Sequence, residues 1–164
     1  MTTVTLDERR ALDLLTEIRS KIADMAPAHK RLARITEQLI RDTFRDETDP
    51  WGSPWPAHSP VTIAQRRRRA EVSVQMLLDS GALYSSIATQ TRPDGIEVSA
   101  GEGLAYGAVQ QFGNPANRAW GRATAPIPAR AYFPLRTPDD AELPGDWWQA
   151  ITSELDAYVR EAAA

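Results

Sequence analysis

The chain has 164 residues, no cysteine, and a formal net charge of −3 from 19 basic and 22 acidic side chains. A chain of this length fits one domain with a sizeable core, and the lack of cysteine excludes disulfides, thiolate catalysis and cysteine-based zinc sites. The balance of charge argues against a dedicated nucleic-acid binder. With neither a signal-like N-terminus nor an apolar run of roughly 20 residues, we expect a soluble protein that is made in the cytoplasm.

Residues 1–46 carry two apolar stripes whose spacing of three and four residues is typical of amphipathic helices. The stripes comprise Leu12, Leu15, Ile18, Ile22 and Met25, then Leu32, Ile35, Leu39 and Phe44. Pro27 separates them, which predicts a helical hairpin or one kinked helix. Both stripes pack on a sheet, or part of one contacts a neighbouring subunit. His29, beside Lys30 and Arg31, is predicted to lie at the surface.

Residues 46–60 contain four prolines, one glycine and two tryptophans, a composition that predicts a loop. We interpret Trp55 as a cover for one end of the sheet, whereas Trp51 either joins that cluster or anchors a partner. Ser59 followed by Pro60 predicts an N-cap and a helix from 60 to about 70. This helix carries the run Arg66, Arg67, Arg68 and Arg69. The run contacts DNA phosphates or acidic partners, or it is a solvated face.

The middle of the chain predicts short elements. Val72, Val74 and Met76 alternate with polar residues as in a strand, and Asp79 or Ser80 can cap a helix that carries Leu83 and Ile87. Two strand-like runs, IATQTR at 87–92 and IEVSA at 96–100, flank Pro93, Asp94 and Gly95. This arrangement predicts a β-hairpin.

The stretch from 106 to 133 is the most informative. YGAVQQFG predicts a helix with Tyr106, Val109 and Gln110 on one face and Phe112 closing the apolar patch, and Gly113 suits the left-handed position that ends a helix. IPARAYF at 127–133 alternates as a half-buried strand, and Pro128 would place that strand at a sheet edge or begin it there. Loop 114–126 between them is long enough to indicate a function.

The C-terminal part is acidic, and Pro138, Asp139 and Asp140 predict a short helical turn. Asp146 is expected to cap a last helix whose apolar face carries Trp148, Ile151, Leu155 and either Tyr158 or Val159. Trp147 and Trp148 cannot both point inward. The contrast between this acidic part and the arginine run suits head-to-tail contacts between copies, with two solvated faces as the alternative.

These elements predict an α+β fold: N-terminal helices, a small mainly antiparallel sheet of three to four strands with helices on one face, and a C-terminal helix. We expect one domain, divided into an N-terminal helical segment 1–46, a core region 47–136 and a C-terminal helical segment 137–164. His29 and His58 lie in no recognisable catalytic arrangement, and no hydrolase or phosphate-binding motif is present. The sequence therefore predicts neither an enzyme nor a cofactor or metal site.

QQFG at 110–113 followed by IPARAYF, preceded by TDPWGSPW at 48–55, SPVT at 59–62 and LLDSGALYSSI at 77–87, resembles the phage virion morphogenesis family, the tail completion proteins of Mu-like and related tailed phages. The resemblance covers residues 44 to 135 and continues loosely to the C-terminus. The motif positions are Pro50, Gly52, Trp55, Gly81, Leu83, Tyr106, Gln111, Phe112, Gly113, Pro128, Arg130 and Phe133.

The resemblance implies a structural virion protein, assembled in the host cytoplasm, at the head-proximal end or neck of the tail, where a ring of copies enables head–tail joining. Its partners would be other tail or neck proteins. For contacts we single out loop 114–126, with candidates Asn114, Asn117, Arg118, Trp120 and Arg122. Gly113, Pro128 and Arg130 are expected to shape the ends of this loop, and Arg130 to pair with an acidic group. The alternatives are a protein that contacts DNA in the head–tail channel through the arginine run, or a small hydrolase.

Overall fold

The structure is a computed structural model that describes residues 9, 12–13, 16–17, 19–20, 24–68, 75–119, 122–123, 125–138 and 140–163, with the backbone alone at 118–119, 122–123 and 162–163. Several predictions lie outside the described residues: those on Trp120 and Arg69, the side-chain roles of Arg118 and Arg122, and most of the first apolar stripe and of the strand at 72–76.

The described residues form helices and two-stranded antiparallel ladders, which confirms the α+β class. The helices are α1 (Ala26–Asp46), α2 (Pro60–Arg68), α3 (Ala82–Ser85), α4 (Gly107–Phe112) and α5 (Gly145–Ala163). The strands are β1 (Ala88–Arg92), β2 (Gly95–Ser99), β3 (Arg118–Ala119), β4 (Arg122–Ala123), β5 (Leu135–Thr137) and β6 (Asp140–Ala141). The described strands pair two by two, β1 with β2, β3 with β4 and β5 with β6, so separate ladders replace the predicted sheet of three to four strands. No described helix is both long and apolar enough to span a membrane.

Helix α1 begins next to the proline that separates the two apolar stripes of the sequence. Residues 24 and 25 are not helical and Pro27 occupies the first turn, so Pro27 starts this helix, as its fixed φ and missing N–H favour. The inward face includes His29, Ala33, Ile40 and Phe44. The prediction of a surface His29 was wrong, because its position on the helix places it on the same face as Ile40 and Phe44, and it is buried.

The core is centred on Phe44, which is fully buried. Its ring lies 5.5 Å from those of Trp55, Tyr84 and Tyr132, and the first two are edge-on to it. Edge-to-face pairs of this kind contribute about 0.5–1.5 kcal/mol each beyond their burial. Trp55 therefore lies inside the core, and its indole Nε1 donates to the carbonyl of Ala131 at 2.8 Å.

The predicted hairpin is confirmed as β1 and β2, paired from Ala88 opposite Ser99 to Arg92 opposite Gly95. It packs on α1 through Glu37, whose carboxylate accepts from Thr89 Oγ1 at 3.0 Å and from Arg41 Nη2 at 2.8 Å. The hydrogen bond from Arg41 is the main reason that the pKa of Glu37 is lowered.

Segment 127–133 was predicted as a strand, and this prediction was wrong. The segment alternates in burial, but Arg130 and Tyr132 are buried while Ala129 is exposed, and a bridge at Ile127 is its only ladder pairing among the described residues. The end of the segment is paired by one side chain instead of a strand. Gln111, buried on α4, accepts from the N–H groups of Tyr132 and Phe133 at 3.0 Å each and donates to the carbonyl groups of Phe133 and Leu135 at 3.0 and 2.9 Å.

The hydrogen bonds of Gln111 determine which face of α4 is buried. The buried positions are Gly107 and Gln111, four residues apart, whereas Tyr106 is exposed, so the predicted face of Tyr106, Val109 and Gln110 is not the buried face of α4. The four hydrogen bonds satisfy both donors and both lone pairs of the Gln111 amide. The side-chain amide of Gln111 thus makes the hydrogen bonds that a neighbouring strand would otherwise make.

The C-terminal part differs from its prediction at two places. The predicted helical turn is absent from the described residues 140–143, because Asp140 and Ala141 form β6, which pairs with β5 so that Leu135 lies opposite Ala141, while Asp139 lies outside the described residues. On α5, Trp147 is 4% exposed and Trp148 is 58% exposed, so the placement of Trp148 on the inward face was wrong. Ile151 is within helical reach of either tryptophan, and periodicity therefore could not choose between them.

Candidate partner-binding groove

Residues 114–126 were predicted as an irregular loop, but the described residues between 114 and 127 pair as a hairpin, which we call the arm. At its base, Asn114 N donates to Ile127 O at 2.8 Å and Ile127 N donates to Asn114 O at 3.0 Å. The amide of Asn117 donates to Ala125 O at 3.1 Å, and further out β3 pairs with β4. The arm is therefore a ladder closed at its base.

Gly113 joins the arm to α4 in a conformation that favours glycine. Helix α4 ends at Phe112, as predicted, but Gly113 has φ 74° and ψ 176°, outside the left-handed helical region that the sequence suggested. A Cβ atom there would lie 2.9 Å from both Ala129 N and Ile127 O. The missing side chain lets the two ends of the arm approach each other.

A groove with a volume of about 640 Å³ lies beside the base of the arm. Its walls are the loop at 57–59, helix α2, residues 77–80, helix α4 and the segment at 125–128, where the chain returns from the arm. The lining combines apolar side chains with charged ones. The apolar ones include Leu83, Tyr106 and Ile127, and the charged ones are Arg66, Asp79 and Arg130.

Arg130 is the most buried charge of the groove, at 6% exposure. Its Nε donates to Pro56 O at 2.9 Å and its Nη2 to Ala57 O at 3.2 Å. The prediction of an acidic partner was wrong, because carbonyl groups of the proline-rich loop take that place and no described carboxylate lies within ion-pair distance. Burial first, and the neighbouring charge of Arg66 second, lower the pKa of Arg130.

Arg66 is 9% exposed and also belongs to the groove. Its Nη1 donates to Gln75 O at 3.0 Å, and its Nε lies 3.5 Å from Asp79 Oδ1. The interpretation of Arg66 as part of an outward-facing run was wrong, because helix α2 turns this residue towards the core while Arg67 and Arg68 remain exposed. Two buried guanidinium groups thus lie close enough for the charge of Arg66 to lower the pKa of Arg130.

Two polar atoms of groove residues are buried without a hydrogen-bond partner in the described structure: His58 Nε2 and Gln110 Oε1. Burial, followed by the charges of Arg66 and Arg130, lowers the pKa of His58, so its imidazole is neutral at pH 7. Sequence reasoning missed His58 as a groove residue, because no motif marks a histidine that is placed by a loop of prolines.

The motif positions of the sequence meet in this region. Trp55 and the main-chain carbonyl groups of residues 56 and 57 form hydrogen bonds with segment 127–133. The main-chain carbonyl of Gln110 accepts a hydrogen bond from Arg130 N at 2.7 Å. Gly52 and Gly81 adopt positive φ at turns, and Pro50 and Leu83 are buried. Phe112, Pro128 and Phe133 lie on the two segments that meet at this junction, α4 and segment 127–133.

A second cleft, of about 380 Å³, lies between α1 and β1 and is lined by Lys30, Arg34, Glu37 and Arg41 among others. Its acidic group, Glu37, is already paired with Arg41 and Thr89. Among the residues that the structure describes, no group of three histidine, aspartate or glutamate side chains is placed to hold a metal ion.

Comparison with curated proteins and with solved structures gives no match. The model of the phage virion morphogenesis family matches residues 6–151. This range includes the groove, the arm and the motif positions that hold them together. The chain therefore belongs to the phage virion morphogenesis family.

Proposed function

We propose that this protein is a tail completion or neck component that sits at the head-proximal end of the tail and enables head–tail joining. The family supplies a role in building the virion, and contacts with other virion proteins follow from that role. The observation that carries the finer proposal is the arm, a closed hairpin fixed at its base by Gly113 and bordered by a charged groove. A projection beside a recess suits assembly between proteins.

We propose further that the protein works without catalysis, as a ring of identical copies. Two buried polar residues near the groove already have structural roles: Gln111 bonds to the segment after the arm, and Arg130 links that segment to the proline-rich loop. Specificity in such an assembly comes from shape and charge at repeated surfaces.

Shortening the arm tests the proposal. Replacing residues 116–124 with a two-glycine link leaves the bridge between Asn114 and Ile127 in place, so we expect a folded protein with unchanged circular dichroism that fails to restore joining in a phage lacking the wild-type gene. Electron microscopy should then show heads and tails that are separate. A matched control replaces Pro93 and Asp94 at the tip of the β1–β2 hairpin with Asn and Gly. Normal infectious particles made with the shortened arm would contradict the proposal.

One observation favours DNA contact as a second candidate function: Arg67 and Arg68 are exposed at the end of α2. A binding assay with duplex DNA would then show affinity that falls steeply with salt, and changing both arginines to alanine would reduce that slope. If head–tail joining depends on protein contacts alone, the same double variant joins heads to tails normally.

A further inference from the structure

We infer that the groove receives the acidic β5–β6 hairpin of a neighbouring copy of this chain. The inference rests on the proposed ring, since it names the contact that would hold the ring together. Groove and hairpin are different surfaces of one chain, so their contact is head-to-tail. A head-to-tail contact repeats from copy to copy and gives a ring where the rotation closes.

The groove contains a buried positive charge that no described carboxylate pairs. Arg130 is more than nine-tenths buried, and the partners of its guanidinium group in the described structure are carbonyl groups. The second buried guanidinium group, that of Arg66, has the carboxylate of Asp79 at 3.5 Å. Buried charges are normally paired with an opposite charge, and guanidinium groups match carboxylates in geometry. A carboxylate supplied from outside would complete this site.

The unpaired polar atoms of the groove fit a peptide. Gln110 Oε1 is an acceptor without a donor, and His58 Nε2 lacks a partner in the described structure. A peptide brings a main-chain N–H for the first and either a donor or an acceptor for the second. The apolar lining from Leu83, Tyr106 and Ile127 suits apolar side chains next to an acidic group. A DNA backbone would offer phosphates and sugars without donors for Gln110.

The β5–β6 hairpin provides that combination. Asp140 and Glu142 are exposed, Glu142 pairs with Arg136, and Asp140 has no ion pair among the described residues. Leu143 follows as an exposed apolar side chain. Several carboxylates elsewhere on the described surface are engaged within the chain: Glu154 and Glu161 with Arg31, and Asp42 and Asp46 with Arg45. Asp140 is thus an available acidic group beside an apolar one on a narrow projection.

Charge reversal on both sides tests the contact with the full chain. Sedimentation velocity of the wild-type protein should show self-association that weakens as salt rises. Asp140→Lys, at an exposed position, should weaken this association at least tenfold. Tyr106→Glu places a negative charge at the rim of the groove on a side chain that is 42% exposed, and it should weaken association similarly. An equimolar mixture of the two variants should associate more strongly than either alone, because the introduced lysine of one copy meets the introduced glutamate of the next.

Asp156→Lys is the matched control, since Asp156 is an exposed carboxylate on α5 outside the hairpin. It should leave association within twofold of the wild type. The inference is overturned if Asp140→Lys has no effect, if Asp156→Lys weakens association equally, or if the wild type stays monomeric at every accessible concentration. In each of these cases a head–tail joining assay with the wild type and the shortened arm still decides the proposed function separately.

Discussion

Replacing Gln111 with leucine removes the side chain that pairs with segment 127–133. The change leaves Tyr132 N, which is buried, and two half-buried groups, Phe133 N and Leu135 O, without their partner, while Phe133 O keeps its hydrogen bond from Leu135 N. An unsatisfied buried group costs about 1–3 kcal/mol, and half-buried groups that water can reach cost less. Roughly 4 kcal/mol is lost in total, and the more apolar leucine returns about 1 kcal/mol.

We therefore expect Gln111→Leu to lower the free energy of unfolding by about 3 kcal/mol, which corresponds to a fall in Tm of roughly 6–12 °C for a chain of this size. Urea midpoints and thermal melts followed by circular dichroism measure both quantities. Gln110→Leu is the matched control, because Gln110 is the adjacent glutamine and its Oε1 has no partner to lose in the described structure. This control should change stability by less than about 0.5 kcal/mol or raise it slightly.

Gln111→Glu separates shape from hydrogen bonding. A carboxylate keeps both acceptor oxygens but cannot donate to the carbonyl groups of Phe133 and Leu135, so the variant should be less stable than the wild type at pH 7. Burial raises the folded-state pKa of such a carboxyl group, and the variant should approach the wild type as the pH falls and the group becomes protonated. Equal damage from Gln110→Leu and Gln111→Leu, or a pH-independent deficit in Gln111→Glu, would refute the reasoning.

Three further predictions concern single positions. Gly113→Ala should lower the free energy of unfolding in urea by more than about 3 kcal/mol, because it adds a clash to a backbone strain of about 1–3 kcal/mol. Gly81→Ala, at a glycine with positive φ but open space around it, should cost only about 1 kcal/mol. Equal costs would contradict the close approach at Gly113. Trp147→Ala should cost about 3–5 kcal/mol and Trp148→Ala less than about 0.5 kcal/mol, and the reverse order in thermal melts would place the wrong tryptophan in the core. Burial raises the pKa of Tyr132 to about 12, so the folded state holds this proton more tightly and the wild type should lose roughly 2 kcal/mol of stability between pH 10 and pH 12. Tyr132→Phe should lose about 1 kcal/mol at pH 7 with the hydrogen bond to Gly107 O, yet decline less in alkali; identical alkaline titrations would count against the burial.

The elements that the sequence predicted well are those with local signals at their ends. Pro27 marks the start of α1, and Ser59 with Pro60 marks the start of α2, where Ser59 Oγ accepts from Thr62 N at 3.2 Å. The proline-led turn at 93–95 identifies the β1–β2 hairpin. A cap or a turn is decided by a few neighbouring residues, so one sequence is enough to find it.

Segment 127–133 shows what a local sequence pattern cannot predict. Its alternation is real, but alternation identifies two faces and does not say which face is buried. The buried face carries Arg130 and Tyr132, because carbonyl groups at 56 and 57 and the amide of Gln111 are placed to bond there. These partners come from segments far apart in the chain, and no pattern within the segment reports them.

The candidate site divides in the same way. The bounds of the arm were visible, since Gly113 and Pro128 mark its two ends. The groove was not, because His58, Arg66 and Arg130 come from three separate segments that meet only after folding. The arginine run looked uniform in sequence, yet helix geometry sends Arg66 inward and leaves Arg67 outside. Side chains one position apart on a helix point in different directions, so a run of one residue type is not one surface.

The hydrogen bonds that hold the core also set the direction of the arm. Gln111 fixes segment 127–133 against α4, and Gly113 and Ile127 form the two ends of the arm within that same junction. Arg130 links the junction to the loop that forms the opposite wall of the groove. A groove and an arm built on one bonded junction keep their relative positions before any partner arrives. Such preorganisation lowers the entropic cost of association, which would favour the contacts between copies that we propose.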